Sequence, residues 1–426
     1  MSNKPFQTAP RLRTCRIENF KAIRDSKTIR LSPLTVFIGN NGSGKSSIVE
    51  AMQTYRDIVI HGLDAAINWR GTFEQIHNLA VPHEKKILDS PIMEYLSNPI
   101  CFTYSAANIR GSHLGTPPLR SAQWNMAVAS DPAGDKLFIL GEEAKTKALG
   151  ERNAACVRRF PGWKKMKSNS PFRQIHGHHG PLGERSLLAR HSSLDDFHSV
   201  LSIYMDTWQF VHLNHETMGK PRLENRASSI RNQSFILLNP DGSNIAEYLC
   251  AIRDRDLKAF EGIIESVQFV LPYLKDLQPS FTQEINRSIF LKMKEKDFDV
   301  PGWMLSTGTL RIVALLALLQ NPNPPPLIVI EEIENGLDPR TIHLLMEEIR
   351  IAVDSGRTQV IATTHSPYLL NLLNLSEVVL VERDETGQPV FWRPQGDAEA
   401  ESWAKDFATG ELYTMGRLHP PKKEKR

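Results

Sequence analysis

Two regions of the chain carry strong apolar patterns, and a long middle region does not. Leu34-Thr35-Val36-Phe37-Ile38 is a compact apolar, β-branched run that stops at Gly39. Such a run predicts a buried strand feeding a glycine-rich turn. Behind it, Ile48, Val49, Met52 and Tyr55 recur at helical spacing, so residues 45–58 read as a helix with one buried face. Residues 12–17 and 28–31 read as short strands before it. Order of the same kind returns at Ser288. Residues 289–294 alternate like a half-buried strand. Residues 309–320 form a helix that the proline-rich run 321–326 must stop. Residues 327–330, 358–363 and 377–382 read as buried strands, the last completing the sheet. Residues 339–353 read as a helix with Pro339 in the favoured first position. Strands alternating with helices predict an α/β fold, a mostly parallel sheet with helices on both faces.

Between residues 60 and 288 the signal changes to short strand-like pieces, short helices and many Pro, Gly and His residues. No heptads are sustained, which excludes a long coiled-coil arm, and no fixed period marks a repeat. This stretch reads as a large α+β insertion, or lid. Inside it, residues 158–190 hold eight Lys and Arg, including Arg158, Arg159, Lys164, Lys165, Lys167 and Arg173, against the single acid Glu184. Phe160, Trp163 and Phe172 are interleaved, and His176, His178 and His179 cluster around glycines. Regular structure is not expected there. The organisation expected is a head half at 1–59, the insertion at 60–288, a second head half at 289–395, and an extension ending in a disordered basic tail at 396–426.

Composition narrows the class without naming it. The 426 residues carry a formal charge of only +3, so any polyanion must be met by local patches. Four scattered cysteines, none in a CxxC pair, exclude a zinc finger and a disulfide framework and fit a reducing cytoplasm. The N-terminus lacks the apolar core of a signal peptide, and the run 312–319 is too short to span a bilayer. A cytoplasmic chain with no membrane partner is expected.

Chemistry concentrates at strand ends. Gly39-Asn40-Asn41-Gly42-Ser43-Gly44-Lys45-Ser46, followed by Ser47, fits GxxxxGK[ST] between a strand and a helix. Its glycines let backbone N–H groups wrap phosphate oxygens, Lys45 can reach the β- and γ-phosphates, and Ser46 can ligate Mg²⁺. Nucleotide binding with Mg²⁺ is therefore expected. Leu327–Ile330 delivers Glu331 and Glu332 to its C-terminal end, a Walker B pattern with Glu where Asp is usual. In that pattern the first acid joins the Mg²⁺ shell and the second polarises the attacking water. Leu305-Ser306-Thr307-Gly308-Thr309 precedes a helix, Asn335-Gly336-Leu337-Asp338-Pro339 is a turn and helix start, and His365 closes the strand of Thr363 and Thr364.

In this order the motifs resemble the ABC-class ATPases of the RecF, SMC and overcoming-lysogenization-defect group. The opening Arg16-Ile17-Glu18-Asn19-Phe20-Lys21 is similar to that group's I-x-N-F-K start. Residues 208–217 (Trp-Gln-Phe-Val-His-Leu-Asn-His-Glu-Thr) and 241–249 (Asp-Gly-Ser-Asn-Ile-Ala-Glu-Tyr-Leu) resemble the short bacterial AAA-type ATPases called AAA_21. The resemblance implies a P-loop head of ABC type that hydrolyses ATP. It makes residues 305–309 the signature, Thr307 replacing a glycine, with residues 335–339 as the D-loop and His365 as the switch histidine. Two copies would sandwich ATP, Ser306, Gly308 and Asp338 completing the partner's site. Relatives of the overcoming-lysogenization-defect type carry a C-terminal Toprim nuclease, for which the 61 residues after His365 leave no room. A separate nuclease-like or toxin effector, switched in anti-phage defence, is the implied partner. DNA contact through Lys164, Lys165, Lys167 and Arg173 is weighed against a solvated loop or a protein-docking surface. Two alternatives stay open: a RecF-like repair ATPase acting directly on DNA, and a scaffold that stores an effector. Gln75 and Gln209 are candidates for the Q-loop glutamine.

Overall fold

The computed structural model describes residues 10–80, 98–110, 118–130, 136–151, 154–159, 173–174, 186, 196–223, 236–282 and 287–420. Lys164, Lys165, Lys167, His176, His178, His179 and the tail 421–426 lie outside them, and only the backbone of Arg173 is described.

A six-stranded sheet organises the head. Its order is Gln209–Val211, Leu327–Ile330, Gln359–Thr364, Leu34–Ile38, Val378–Arg383 and Pro389–Trp392. The first five strands are parallel and the last is antiparallel. The strand expected at 377–382 therefore does not complete the sheet. A turn at Asp384 to Gly387, with Gly387 at φ 77°, sends the chain back as one more strand.

The unbroken apolar runs follow from burial on both faces. Val36, Ile38, Ile328, Ile330, Val360, Ala362, Val378 and Leu380 enter one core. Their neighbours Phe37, Val329, Ile361, Val379 and Val381 enter the other. The first core is closed by helices Ile245–Arg255, Leu257–Val270, Thr307–Leu319 and Pro339–Asp354. Helix Thr307–Leu319 is buried at every position from Thr309 onward, so it has no solvent face. Each of its leucines contributes about 1.5–3 kcal/mol relative to exposure.

In the second core, helix Lys45–His61 lies between the parallel sheet and a largely antiparallel one. That second sheet runs Ile23–Asp25, Arg11–Phe20, Ile100–Ile109, Leu119–Ser130, Leu137–Ala148, Ala155–Arg159, Arg173–Gln174, with Ile29–Arg30 also on Arg11–Phe20. Three of its strands have 10, 12 and 12 residues, where only short pieces were expected. Their alternation is carried by Ala, Ser, Thr and Asn as often as by large apolar residues, which hides it in the sequence. The short strand Arg173–Gln174 falls where no regular structure was expected, and Ala155–Arg159 runs into the start of that stretch. Residues 60–288 thus supply the long strands of this sheet and the edge strand Gln209–Val211 of the central one. A four-stranded sheet of Arg222–Leu223, Ser288–Lys294, Asp276–Phe281 and Asp299–Pro301 packs beside the first core.

The I-x-N-F-K start has a structural reason. Asn19 and Lys21 turn the chain with φ 60° and 45°, around the fully buried Phe20. Asparagine adopts that left-handed geometry at little cost.

Candidate nucleotide site

Parallel strands bring their C-terminal ends to one edge, and the chemistry-bearing residues meet there. Gly39 to Ser46 wraps from Leu34–Ile38 into helix Lys45–His61. Glycine is required where the loop lies against the terminal hairpin. A Cβ on Gly39 would sit 2.0 Å from the Val381 carbonyl oxygen. One on Gly44, at φ 112°, would sit 2.8 Å from Pro389 Cγ. The Ser43 hydroxyl is buried within the loop and makes no hydrogen bond. The Lys45 ammonium donates to the Gly39 and Asn40 carbonyls at 2.6 and 3.0 Å. Burial lowers its pKa to about 8, against the opposing charges of Glu332 and Glu334.

Arg383 was not visible as a site residue in the sequence. From the end of Val378–Arg383 its Nε and Nη2 both donate to the Gly42 carbonyl, at 2.8 and 2.7 Å. Its Nη1 donates to the Gly387 carbonyl at 2.8 Å, tying the loop to the hairpin turn.

The acids arrive from Leu327–Ile330, two strands away. Ser46 lies beside the Glu331 carboxylate, whose pKa is raised chiefly by burial. Among the described residues no group of three or more His, Cys, Asp or Glu side chains is placed to hold a metal ion. A hydroxyl beside one carboxylate nevertheless fits Mg²⁺, which is typically held by one or two carboxylates with water and phosphate oxygens.

Glu332 is exposed and has φ 46°, a strained geometry for a residue with a side chain. Two bonds hold it there. Its N–H donates to Thr363 Oγ1 at 2.9 Å, and its carbonyl accepts from Arg311 Nη2 at 2.9 Å. Arg311 is buried and also donates to the Leu213 carbonyl at 3.2 Å. The His365 N–H donates to Glu334 Oε1 at 2.6 Å, and its ring is exposed at the same edge. Glu334 and Arg311 were both missed, because neither occupies a position that the motif patterns specify.

The remaining motif residues adjoin this cluster, the Asn335 N–H donating to the Glu332 carbonyl at 2.9 Å. Ser306 caps the signature helix, accepting from the Thr309 N–H at 3.1 Å, and is exposed. A Cβ on Gly308 would meet the Gly336 carbonyl at 2.5 Å, so signature and D-loop are packed together. Asp338 caps helix Pro339–Asp354, accepting from the N–H groups of Arg340 and Thr341 and from the Thr341 hydroxyl, which lowers its pKa. Both Q-loop candidates make local structural bonds. Gln75 accepts from the Thr72 N–H, and Gln209 donates to the Leu238 carbonyl. At the strand's C-terminal end it is His212 that faces Glu331 electrostatically. Residues 208–217 and 241–249 hold each other, with His212 and Asn214 N–H donating to the Pro240 and Asp241 carbonyls.

Residues 182–371 match the family described as "AAA domain, putative AbiEii toxin, Type IV TA system", and residues 11–87 match "AAA ATPase domain". The chain is 29% identical over 171 residues to the Nod factor export ATP-binding protein I of Bradyrhizobium diazoefficiens, covering 32% of this chain and 55% of that protein. It is 30% identical over 112 residues to the protein of the same name from Sinorhizobium fredii, covering 26% and 31%. With ABC transporter G family member 52 of Oryza sativa included, the chain spans between 11% and 55% of such relatives' length. In fold it is similar to an SMC head bound to the C-winged-helix domain of ScpA, with TM-score 0.51, 13% identity and coverage of 89% and 96%. A Pyrococcus furiosus SMC head bound to the ScpA C-terminal domain gives 0.51, 13%, 93% and 100%. Motif order, sheet topology and matched domains agree: residues 182–371 and 11–87 match AAA-type ATPase domains, and the fold is that of an ABC-type ATPase head.

Proposed function

We propose that the chain is an ATP-driven switch in which two copies close around Mg²⁺-ATP and hydrolysis reopens them. The observation that carries this reading is the division of the motifs. Lys45, Ser46, Glu331, Glu332 and His365 gather at one edge of the central sheet. Ser306 hydrogen-bonds only within its own helix start and stands exposed. An exposed signature serine beside an exposed D-loop suits contact with a nucleotide held by another copy.

The P-loop N–H groups and Lys45 bind and orient the phosphates. Ser46 and Glu331 would hold Mg²⁺, which supplies charge neutralisation on the phosphate oxygens. Glu332 is placed to orient water for in-line attack, and the exposed His365 ring to contact the terminal phosphate. Such catalysis is positioning and electrostatics rather than covalent chemistry. Glu331 is one methylene longer than aspartate, and it would reach the metal from beside Ser46.

The matched family's description names a "putative AbiEii toxin" of a toxin–antitoxin system, and our reading is of a defence role with a separate effector, nuclease-like or toxic. No helix of the described residues is long and apolar enough to cross a membrane. The test of the reading is nucleotide hydrolysis by purified protein. Glu332→Gln should reduce turnover at least a hundredfold while nucleotide is still bound, and parental turnover in that variant would remove the assignment.

A further inference from the structure

At the opposite edge of the central sheet lies a cavity of about 460 Å³, lined by Arg11, Arg13, Thr14, Arg30, Leu31, Pro33 and Asn108. Pro33 immediately precedes the P-loop strand. The five residues of Leu34–Ile38 separate the cavity from the P-loop by about 17 Å of extended chain. The cavity is thus distinct from the nucleotide site.

Its charge is uncompensated. Three arginines are among its lining residues, and no lining residue is acidic. The nearest ion-paired acids on these strands, Glu18 and Asp25, are taken by Arg16 and Lys27. Among the described residues no ion pair involves Arg11, Arg13 or Arg30. Residues 1–9 and 111–117, which adjoin the cavity in sequence, contain no Asp or Glu. A fourth guanidinium lies behind the rim. Arg393 donates to the Arg30 carbonyl at 2.8 Å, and its pKa is lowered by burial and by the Arg30 charge. Thr14 adds a hydroxyl, and Arg13 and Arg30 stand exposed at the mouth.

Like charges gathered without acids repel one another, and a bound anion relieves what solvent leaves of that repulsion. Guanidinium forks match phosphate oxygens in geometry as well as in sign. Arg11 and Arg13 are spaced along one strand and Arg30 is on its neighbour, so the donors form an open row.

We propose that this arginine-lined cavity is a second anion site of the protein, binding the phosphate groups of a polyphosphate or of a nucleic-acid backbone. It is independent of ATP hydrolysis, because none of its residues belongs to the nucleotide site.

The test uses protein saturated with Mg²⁺-ADP, so that the P-loop is already filled. Inorganic tripolyphosphate is titrated calorimetrically, and a fluorescein-labelled 12-nucleotide single strand by anisotropy, each at 50 and 200 mM salt. The parent should bind at least one probe. Arg11→Gln/Arg13→Gln/Arg30→Gln should weaken that binding at least tenfold. For the oligonucleotide, the slope of log affinity against log salt should fall by about two, at roughly 0.7 per phosphate contact. Loss of tripolyphosphate binding alone assigns a small phosphorylated ligand, and loss of oligonucleotide binding alone assigns a nucleic-acid strand. The triple lysine variant should retain most of the affinity, and basal ATP hydrolysis should be unchanged in both variants. Binding of neither probe by the parent, or affinities within twofold after the glutamine substitutions, overturns the proposal. So does oligonucleotide binding lost only when Lys164, Lys165 and Lys167 are neutralised.

Discussion

Replacing Arg383 by alanine isolates the contribution of the terminal hairpin to phosphate binding. The side chain makes two donations to one P-loop carbonyl, at 2.8 and 2.7 Å, from a guanidinium that is exposed to solvent. A hydrogen bond involving a charged group contributes about 1.5–3 kcal/mol when shielded. Here both donors share one acceptor and solvent competes, so about 1 kcal/mol is the appropriate scale. The contribution falls on loop order rather than on the core. Gly42 turns at φ 72°, and the two bonds fix the direction of its carbonyl within the loop. At 1.4 kcal/mol per decade, nucleotide affinity should fall about fivefold. Titration of a fluorescent ATP analogue into parent, Arg383→Ala and Arg383→Lys reads this directly. Lysine keeps the charge without the fork and should recover part of the loss. The rate at saturating ATP should change less than the KM, and the melting temperature little. An affinity within twofold of the parent, with folding intact, would refute the reasoning.

Other perturbations separate the parts of the site. Ser46→Ala should weaken Mg²⁺-dependent nucleotide binding more than metal-free binding, read by titrating with and without a chelator. Gly39→Ala places a methyl group 2.0 Å from the Val381 carbonyl oxygen, so nucleotide binding should be lost, as equilibrium dialysis would record. Asp338→Ala removes a helix cap worth about 1 kcal/mol, so denaturant unfolding should shift by that amount while nucleotide affinity of one copy is kept. Arg311→Leu leaves the Glu332 and Leu213 carbonyls without their buried donor. It should destabilise the fold by about 2–4 kcal/mol and release the strained turn, lowering turnover beyond the loss of folded protein.

The sequence was legible where burial is extreme. Leu34–Ile38, Leu327–Ile330 and Gln359–Thr364 have both faces covered, so their runs are continuously apolar. The motifs at their ends can be read by pattern. The long antiparallel strands were not, because a strand such as Leu137–Ala148 carries Glu142, Glu143, Lys145 and Lys147 among its apolar positions. The supporting residues were hidden for a different reason. Arg383 reaches the P-loop from 341 residues away in sequence, and Arg311 reaches Glu332 from inside an apparently uniform apolar helix. Contacts of this kind follow from sheet order, which local pattern does not encode. Asp338 has an evident local task as a cap, which the motif order alone had folded into the nucleotide site.

The central claim is that one chain holds an incomplete site and that ATP joins two of them. Light scattering on Glu332→Gln after size exclusion, with and without Mg²⁺-ATP, tests it most directly. The account predicts a monomer of about 48 kDa without nucleotide. With ATP it predicts a stable species of twice that mass, abolished by adding Ser306→Arg. A variant that binds ATP yet keeps the same mass in both conditions would contradict it.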